Sequence, residues 1–87
     1  MDASRERARE DARRHLGPFG RNVRHLRRER DLTQDELADK ARLDPRVIRF
    51  VESGERDVGI STLWMLAAGL GVEVADLFPK RAPARSK

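Results

Sequence analysis

Residues that start and end helices follow one another at short intervals through the middle of this 87-residue chain. Thr33 and Glu36 have the spacing of a capping box, which opens a helix. Asp44 followed by Pro45 marks a second helix start, and Gly54 marks its end. Because a turn of only about three residues separates the two helices, they must cross at a steep angle with the second one protruding. This helix–turn–helix unit, residues 33–52, constrains the fold more than any other feature.

The segment before this unit has the apolar spacing of one more helix. Phe19, Val23 and Leu26 recur at i, i+4 and i+7, which places them on one helical face. That helix is predicted to end near Arg30. Asp31 follows it, a residue type that tolerates the left-handed conformation of a helix end.

The segment after the unit predicts two further helices. We expect Ser61 to cap the first of them, with Ile60 and Met65 forming a hydrophobic staple across its start. Gly71 should end it, and a last short helix should cover 73–78. No long stretch alternates with the period of a strand. The sequence therefore predicts an all-α domain over 18–78, a compact bundle of five short helices. Its predicted core consists of Leu37, Ala41, Ile48, Val51, Leu63, Leu66 and Leu70.

The two ends of the chain differ from this domain in composition. Residues 1–16 are nearly all Arg, Glu, Asp and Ala, and Gly17-Pro18 is expected to break the chain after them. We predict that 1–17 form a frayed helical arm outside the core, with a solvated disordered leader as the alternative. Residues 79–87 are predicted to be a flexible basic tail. That tail has four basic residues and no acid, so it accounts for the whole net charge of +4.

Several classes of protein are disfavoured by what the chain lacks. It has no cysteine, which rules out a disulfide scaffold and thiol chemistry. His15 and His25 have no pattern of carboxylate or cysteine partners around them, so we expect no metal, no cofactor and no catalytic group. No apolar run approaches the roughly 18 residues of a membrane span. We therefore expect a cytoplasmic binding protein that is not an enzyme and not a membrane protein.

Three stretches in register carry a resemblance to a known family. The chain reads L-T-Q-D-E-L-A-D-K-A from Leu32, D-P-R-V-I-R-F-V-E-S-G-E-R from Asp44, and S-T-L-W-M-L-A-A-G-L-G-V-E-V-A-D-L-F from Ser61. From Phe19 to Phe78 it resembles the phage repressor/Cro-type helix-turn-helix family, also called the XRE family. The resemblance implies the lambda-repressor-like fold. It also implies a bacterial or phage transcriptional regulator, a repressor or autoregulator that binds double-stranded DNA at a two-fold-symmetric operator as a homodimer and is associated with the nucleoid when bound.

The resemblance also implies which residues contact DNA. The helix from Pro45 to Glu52 corresponds to the recognition helix, which lies in the major groove. Arg46 is the residue expected to read sequence, because its guanidinium can bond O6 and N7 of one guanine together. The base-facing positions are occupied by Pro45, Arg46, Val47 and Phe50. Contacts to phosphate, which give affinity without sequence information, are implied for Thr33, Gln34, Arg42, Arg49, Ser53 and Arg56.

Two structural roles follow from the same resemblance. Arg27 and Glu52 fall where the family has an arginine–glutamate pair, which we interpret as an internal brace. Residues 62–70 are apolar on nearly every side, and so small a domain cannot bury such a helix completely. A dimer interface is therefore expected, with the alternative that Trp64 only covers the edge of the core. Its expected residues are Trp64, Ala68, Val74, Leu77 and Phe78.

Two residue choices depart from the family pattern and keep a second function open. Arg42 stands in the turn where a glycine is usual, and the recognition helix carries the apolar Val47 and Phe50. Exposed apolar residues on that helix could bind protein instead of DNA. The alternative is a protein-interaction module of the same fold, such as an antitoxin or a protein that masks a toxin or another regulator.

Overall fold

A computed structural model describes residues 3–80 as an all-helical domain, and no strand occurs in that range. The predicted fold class is confirmed. The tail prediction for 81–87 lies outside the described residues. The helices are α1 (Ala3–Arg13), α2 (Leu16–Glu29), α3 (Gln34–Ala41), α4 (Pro45–Ser53), α5 (Ile60–Leu70) and a 3-10 helix (Val74–Leu77).

One apolar core joins α2 to α5 and the 3-10 helix. Leu37, Ile48 and Leu66 are completely buried at its centre. Of the predicted core residues, only Leu63 is half-buried and packs at the margin. The full set of buried apolar side chains is Phe19, Val23, Leu37, Ala38, Ala41, Ile48, Val51, Leu66, Ala67, Leu70 and Leu77.

The local signals around the turn are formed as predicted. The Glu36 amide donates to Thr33 Oγ1 at 3.0 Å, and the Thr33 amide donates to Glu36 Oε1 at 2.8 Å. Asp44 Oδ1 accepts from the Arg46 amide at 2.8 Å, with Pro45 at the first helical position. Arg42 ends α3 with φ 58°, the left-handed conformation that costs a non-glycine residue on the order of 1 kcal/mol. The turn is therefore held by its caps on both sides.

The expected break at Gly17-Pro18 is wrong. α1 ends at Arg13, and α2 already begins at Leu16, so Pro18 lies in the first turn of α2. Proline is tolerated there because the first amides of a helix have no acceptor within it. α1 itself is helical and contributes no buried side chain, in agreement with a helical arm outside the core.

The expected cap and staple of α5 are also wrong. The N-cap is Gly59, whose extended backbone lets the helix begin at Ile60. Ile60 is 71% exposed, so it does not staple the helix start. Val58 and Leu63 occupy the staple positions for this register, and both pack against the core.

Two close helix crossings fix where α3 and α4 lie. A Cβ atom on Gly20 of α2 would stand 2.1 Å from the carbonyl oxygen of Val51 in α4. A Cβ atom on Gly69 of α5 would stand 2.9 Å from the Cβ of Ala41 in α3. Only glycine permits these approaches, so α3 and α4 are seated directly on the backbones of their neighbours.

Candidate nucleic-acid interface

A buried ion pair anchors α4 to the rest of the domain. Arg27 of α2 donates from Nε to Glu52 Oε2 at 2.6 Å and from Nη2 to Glu52 Oε1 at 2.9 Å. The two side chains are 9% and 0% exposed. Arg27 Nη1 also donates to the carbonyl oxygen of Leu32 at 2.7 Å, just before α3. The brace inferred from the sequence is present, and it joins α2, the start of α3 and the end of α4.

Two further side chains contact the buried Glu52 carboxylate. Gln34 Nε2 donates to Glu52 Oε1 at 3.0 Å, and Arg24 Nε approaches the same oxygen at 3.4 Å. Burial by itself raises the pKa of Glu52, but hydrogen bonds from Arg27 and Gln34 outweigh it and lower that pKa below its usual value. The hydrogen bond to Glu52 raises the pKa of Arg27. Glu52 therefore stays ionised, and the cluster locks the α2–α3–α4 arrangement.

The first turn of α4 presents an exposed arginine. Arg46 is 71% exposed at its side chain and bonds Asp44 from Nη2 at 3.0 Å and from Nε at 3.2 Å. Hydrogen bonds from the Arg46 side chain and amide hold the pKa of Asp44 at about 2. Sequence reasoning missed this pairing, although the i, i+2 spacing across a helix cap allows it. Arg46 is therefore accessible and oriented by the N-cap of its own helix.

The apolar positions of α4 are less exposed than the sequence suggested. Val47 and Phe50 are both half-buried, and Val47 packs against the core. The guanidinium carbon of Arg56 lies 4.3 Å from the ring centre of Phe50, a cation–π contact. Phe50 is thus partly covered by a cation from the following loop, and Arg56 reaches it by folding back over α4.

The candidate phosphate-contacting residues divide into free and engaged side chains. Arg42, which ends α3, and Arg49, in the middle of α4, both have exposed side chains. Ser53 Oγ donates to the Phe50 carbonyl at 3.2 Å and accepts from the Glu55 amide at 3.3 Å. Thr33 and Gln34 are occupied by the capping box and by Glu52, so α3 offers an anion only its first backbone amides.

Three exposed residues, Ile60, Trp64 and Ala68, follow one another at i, i+4 and i+8 on one face of α5. Trp64 is 60% exposed, and Ile60, which the sequence had assigned to a staple, is 71% exposed. Phe78 is 47% exposed, and the centre of its ring lies 5.1 Å from that of Phe19 in α2. The expectation for Leu77 needs correction, because this side chain is completely buried in the core.

Residues 3–80 contain no group of three or more side chains arranged to hold a metal ion. His25 pairs with Glu29 at 3.0 Å on the surface of α2. Among the described helices, none is both long and apolar enough to cross a membrane.

This arrangement, a helix pair with an anchored and accessible second helix, defines a helix-turn-helix protein. The helix-turn-helix family matches residues 23–77, and the chain belongs to this family, in the XRE class of DNA-binding transcription regulators. The resemblance stated from the sequence is confirmed. The control protein C.MunI of a Mycoplasma species is 36% identical over 61 residues, which are 69% of this chain and 82% of that protein.

Two further relatives agree with this assignment. The immunity repressor of Bacillus phage phi105 is 36% identical over 64% of this chain, but the match spans only 39% of the repressor. The crystal structure of the restriction-modification controller C.AhdI from Aeromonas hydrophila is similar with a TM-score of 0.71 and 36% identity. That similarity covers 72% of this chain and 96% of the controller. These relatives are regulators rather than enzymes.

Proposed function

We propose that this protein is a sequence-specific transcriptional regulator that binds a two-fold-symmetric operator as a homodimer, with α4 in the major groove. The observation that carries this proposal is the contrast along α4. Its C-terminal end is fixed by the buried Arg27–Glu52 pair, whereas Arg46 in its first turn is 71% exposed. A rigid helix with an accessible bidentate donor at its N-terminal end suits direct readout of a base.

Arg46 is the proposed base-reading residue. Its bonds to Asp44 in the free protein preset the guanidinium near the N-terminus of α4. Guanine O6 and N7 would replace the carboxylate oxygens as acceptors, since both pairs accept two parallel hydrogen bonds. Pro45, Val47 and Phe50 are proposed to add apolar contact to the neighbouring base edges.

Phosphate contacts are proposed for exposed cations and backbone amides around α4. Arg42 and Arg49 are exposed, and Arg56 can exchange its contact with Phe50 for a phosphate. The amides that open α3 at Gln34 supply a helix N-terminus to the DNA backbone, and the Ser53 hydroxyl can exchange its bond to the Phe50 carbonyl for one to a phosphate. These contacts set register and affinity without selecting sequence.

The homodimer is proposed to form through the exposed face of α5 that carries Ile60, Trp64 and Ala68, with Phe78 and half-buried Val74 as further contacts. Exposed large apolar side chains grouped on one helix face are typical of protein interfaces. A two-fold dimer would present two α4 helices about one DNA turn apart. The similarity to the two controllers supports an autoregulator or repressor that acts in a bacterial cytoplasm.

The test is selection of bound fragments from the source genome at about physiological salt, with Arg46→Ala run beside the parent protein. We expect the parent to recover a two-fold-symmetric site. The variant should lose preference at one base pair in each half-site, by roughly 5- to 150-fold. Arg49→Ala is the matched control, because removing a phosphate-binding side chain should weaken binding to all sequences alike.

Unselective binding by the parent that disappears with salt would contradict the proposal. It would favour the protein-interaction module as the function. That alternative assigns the exposed parts of Val47 and Phe50 to a partner protein instead of to base edges.

A further inference from the structure

α1 is a helix that no packing contact with the domain core stabilises. Every residue from Ala3 to Arg13 is exposed, and none of them contributes to the core. The helix also precedes the residues that match the family, 23–77. Isolated helices of this length are marginal in water. Binding to a partner would therefore stabilise α1 more than its own backbone hydrogen bonds do.

One face of α1 is a stripe of arginines. Arg5, Arg9 and Arg13 follow one another at i, i+4 and i+8, so their side chains lie in a row about 6 Å apart along the axis. None of the three takes part in an ion pair within residues 3–80. Like charges at this spacing repel each other and oppose the helix. A row of anions alongside would remove that repulsion.

The remaining charges of α1 leave the stripe unneutralised. Asp11 is bound by Arg14, and that hydrogen bond lowers the pKa of Asp11. Glu6 and Glu10 flank the stripe but form no ion pair with it in the described part of the chain. The stripe also lacks large apolar side chains, so it suits a charged surface better than an apolar groove.

The point where α1 joins the domain lies beside the end of α4. Gly54 ends α4, and a Cβ atom on it would stand 3.0 Å from the Cα and 3.1 Å from the nitrogen of Gly17. Only Arg14 and His15 separate α1 from α2, which begins one residue before Gly17. α1 therefore leaves the domain next to Ser53 and Arg56, the loop proposed to contact phosphate.

We propose that the arginine stripe of α1 binds the sugar–phosphate backbone of DNA beyond the half-site that α4 reads. This inference rests on the proposed function, and it adds a second DNA-contacting surface to each subunit. Guanidinium groups at regular intervals complement the regular charge of a DNA strand. Contacts of this kind add affinity and salt dependence but no sequence preference.

The test compares two double variants of the full chain that remove equal charge. Arg5→Gln/Arg9→Gln removes two members of the stripe, and Arg7→Gln/Arg14→Gln removes two arginines from the rest of α1 and its C-terminal end. Glutamine is a good helix former, and circular dichroism checks that α1 persists in both. DNA affinity is measured as a function of salt concentration on two duplexes that contain the selected site. One has long flanking sequences, and the other ends at the site. A long random duplex is the third substrate.

We expect the stripe variant to reduce the slope of log affinity against log salt by about 1.8, at roughly 0.9 for each phosphate that an arginine no longer neutralises. The reduction should occur on both long duplexes and not on the short one, and the preferred sequence should not change. An equal reduction in the control variant, or none in the stripe variant, would overturn the inference. Failure of the parent to select a symmetric site would overturn the proposed function instead, while the random duplex still tests the stripe.

Discussion

Two arginine–carboxylate pairs stand at opposite ends of α4, and they differ in burial rather than in chemistry. Arg27 and Glu52 are 9% and 0% exposed, whereas Arg46 and Asp44 are 71% and 47% exposed. Both arginines use two nitrogens on two carboxylate oxygens. In the buried pair, loss of Glu52 leaves the Arg27 guanidinium buried without a counter-ion. In the exposed pair, water, salt or DNA can replace either partner. Burial therefore makes one pair structural and leaves the other available for binding.

The strongest test of this contrast removes the buried carboxylate. Glu52→Ala should lower the free energy of unfolding by about 3–5 kcal/mol, because Arg27 stays buried without a counter-ion. Urea denaturation measures the loss. Arg27→Met/Glu52→Leu is the control, and replacing both charges with apolar groups should recover most of it. A loss below about 1 kcal/mol in Glu52→Ala would mean that water reaches the cluster.

The pH dependence of stability separates the same two pairs. Because the folded pKa of Glu52 is lowered, its contribution is complete above its ordinary value of 4.5 and is lost as pH falls through the folded pKa. When urea unfolding is measured from pH 6 to pH 2, the midpoint concentration should start to decrease once the pH is lower than about 4.5. Glu52→Gln should flatten that decrease. The pKa of Asp44 is lowered as well, but solvent screens its exposed pair with Arg46, so Asp44→Asn should leave most of the decrease. If Asp44→Asn flattened the decrease and Glu52→Gln did not, the acid sensitivity would belong to the exposed pair.

Asp44 should matter to stability as a helix cap rather than as an ion. Asp44→Ala removes the acceptor of the Arg46 amide and should lower Tm by roughly 4–8 °C. Asp44→Asn keeps the acceptor and should change Tm little, since asparagine caps helices as well as aspartate does. Thermal unfolding of the two variants side by side decides the matter. Equal losses would show that the charge itself stabilises the turn.

The smallest expected effect on stability belongs to Arg46. Arg46→Ala should change Tm by less than about 2 °C, because an exposed ion pair stabilises little. The same variant is the one expected to lose base preference. A large decrease in Tm would contradict the division between a structural pair and a binding pair.

Local signals in the sequence predicted most of the turn and its helix ends. The capping box at Thr33, the Asp44 cap and the left-handed residues at Asp31 and Arg42 all depend on neighbours a few residues away. The Arg27–Glu52 brace is a long-range contact, and it was inferred only from the family resemblance.

The features that the sequence did not predict depend on packing between distant segments. Gln34 was expected to contact phosphate, but its side chain turns inward to Glu52. Leu77 was expected in the dimer interface, but its side chain is buried in the core. Asn22 of α2 holds the 3-10 helix against the domain by donating to the Leu77 carbonyl at 2.8 Å. Arg56 covers Phe50 only because the loop after α4 folds back. Spacing along the chain carries no information about such contacts.

The exposure of Trp64 has a practical consequence for spectroscopy. It is the sole tryptophan of the chain, and the described core contains none, so intrinsic emission reports the surface of α5 rather than the interior. Unfolding of a monomer should shift the emission maximum little, because this indole is already 60% exposed in the folded state. A second subunit docked on α5 would shield it and move the emission to shorter wavelength. The emission maximum of Trp64, recorded over a dilution series, therefore measures the association of the unlabelled protein.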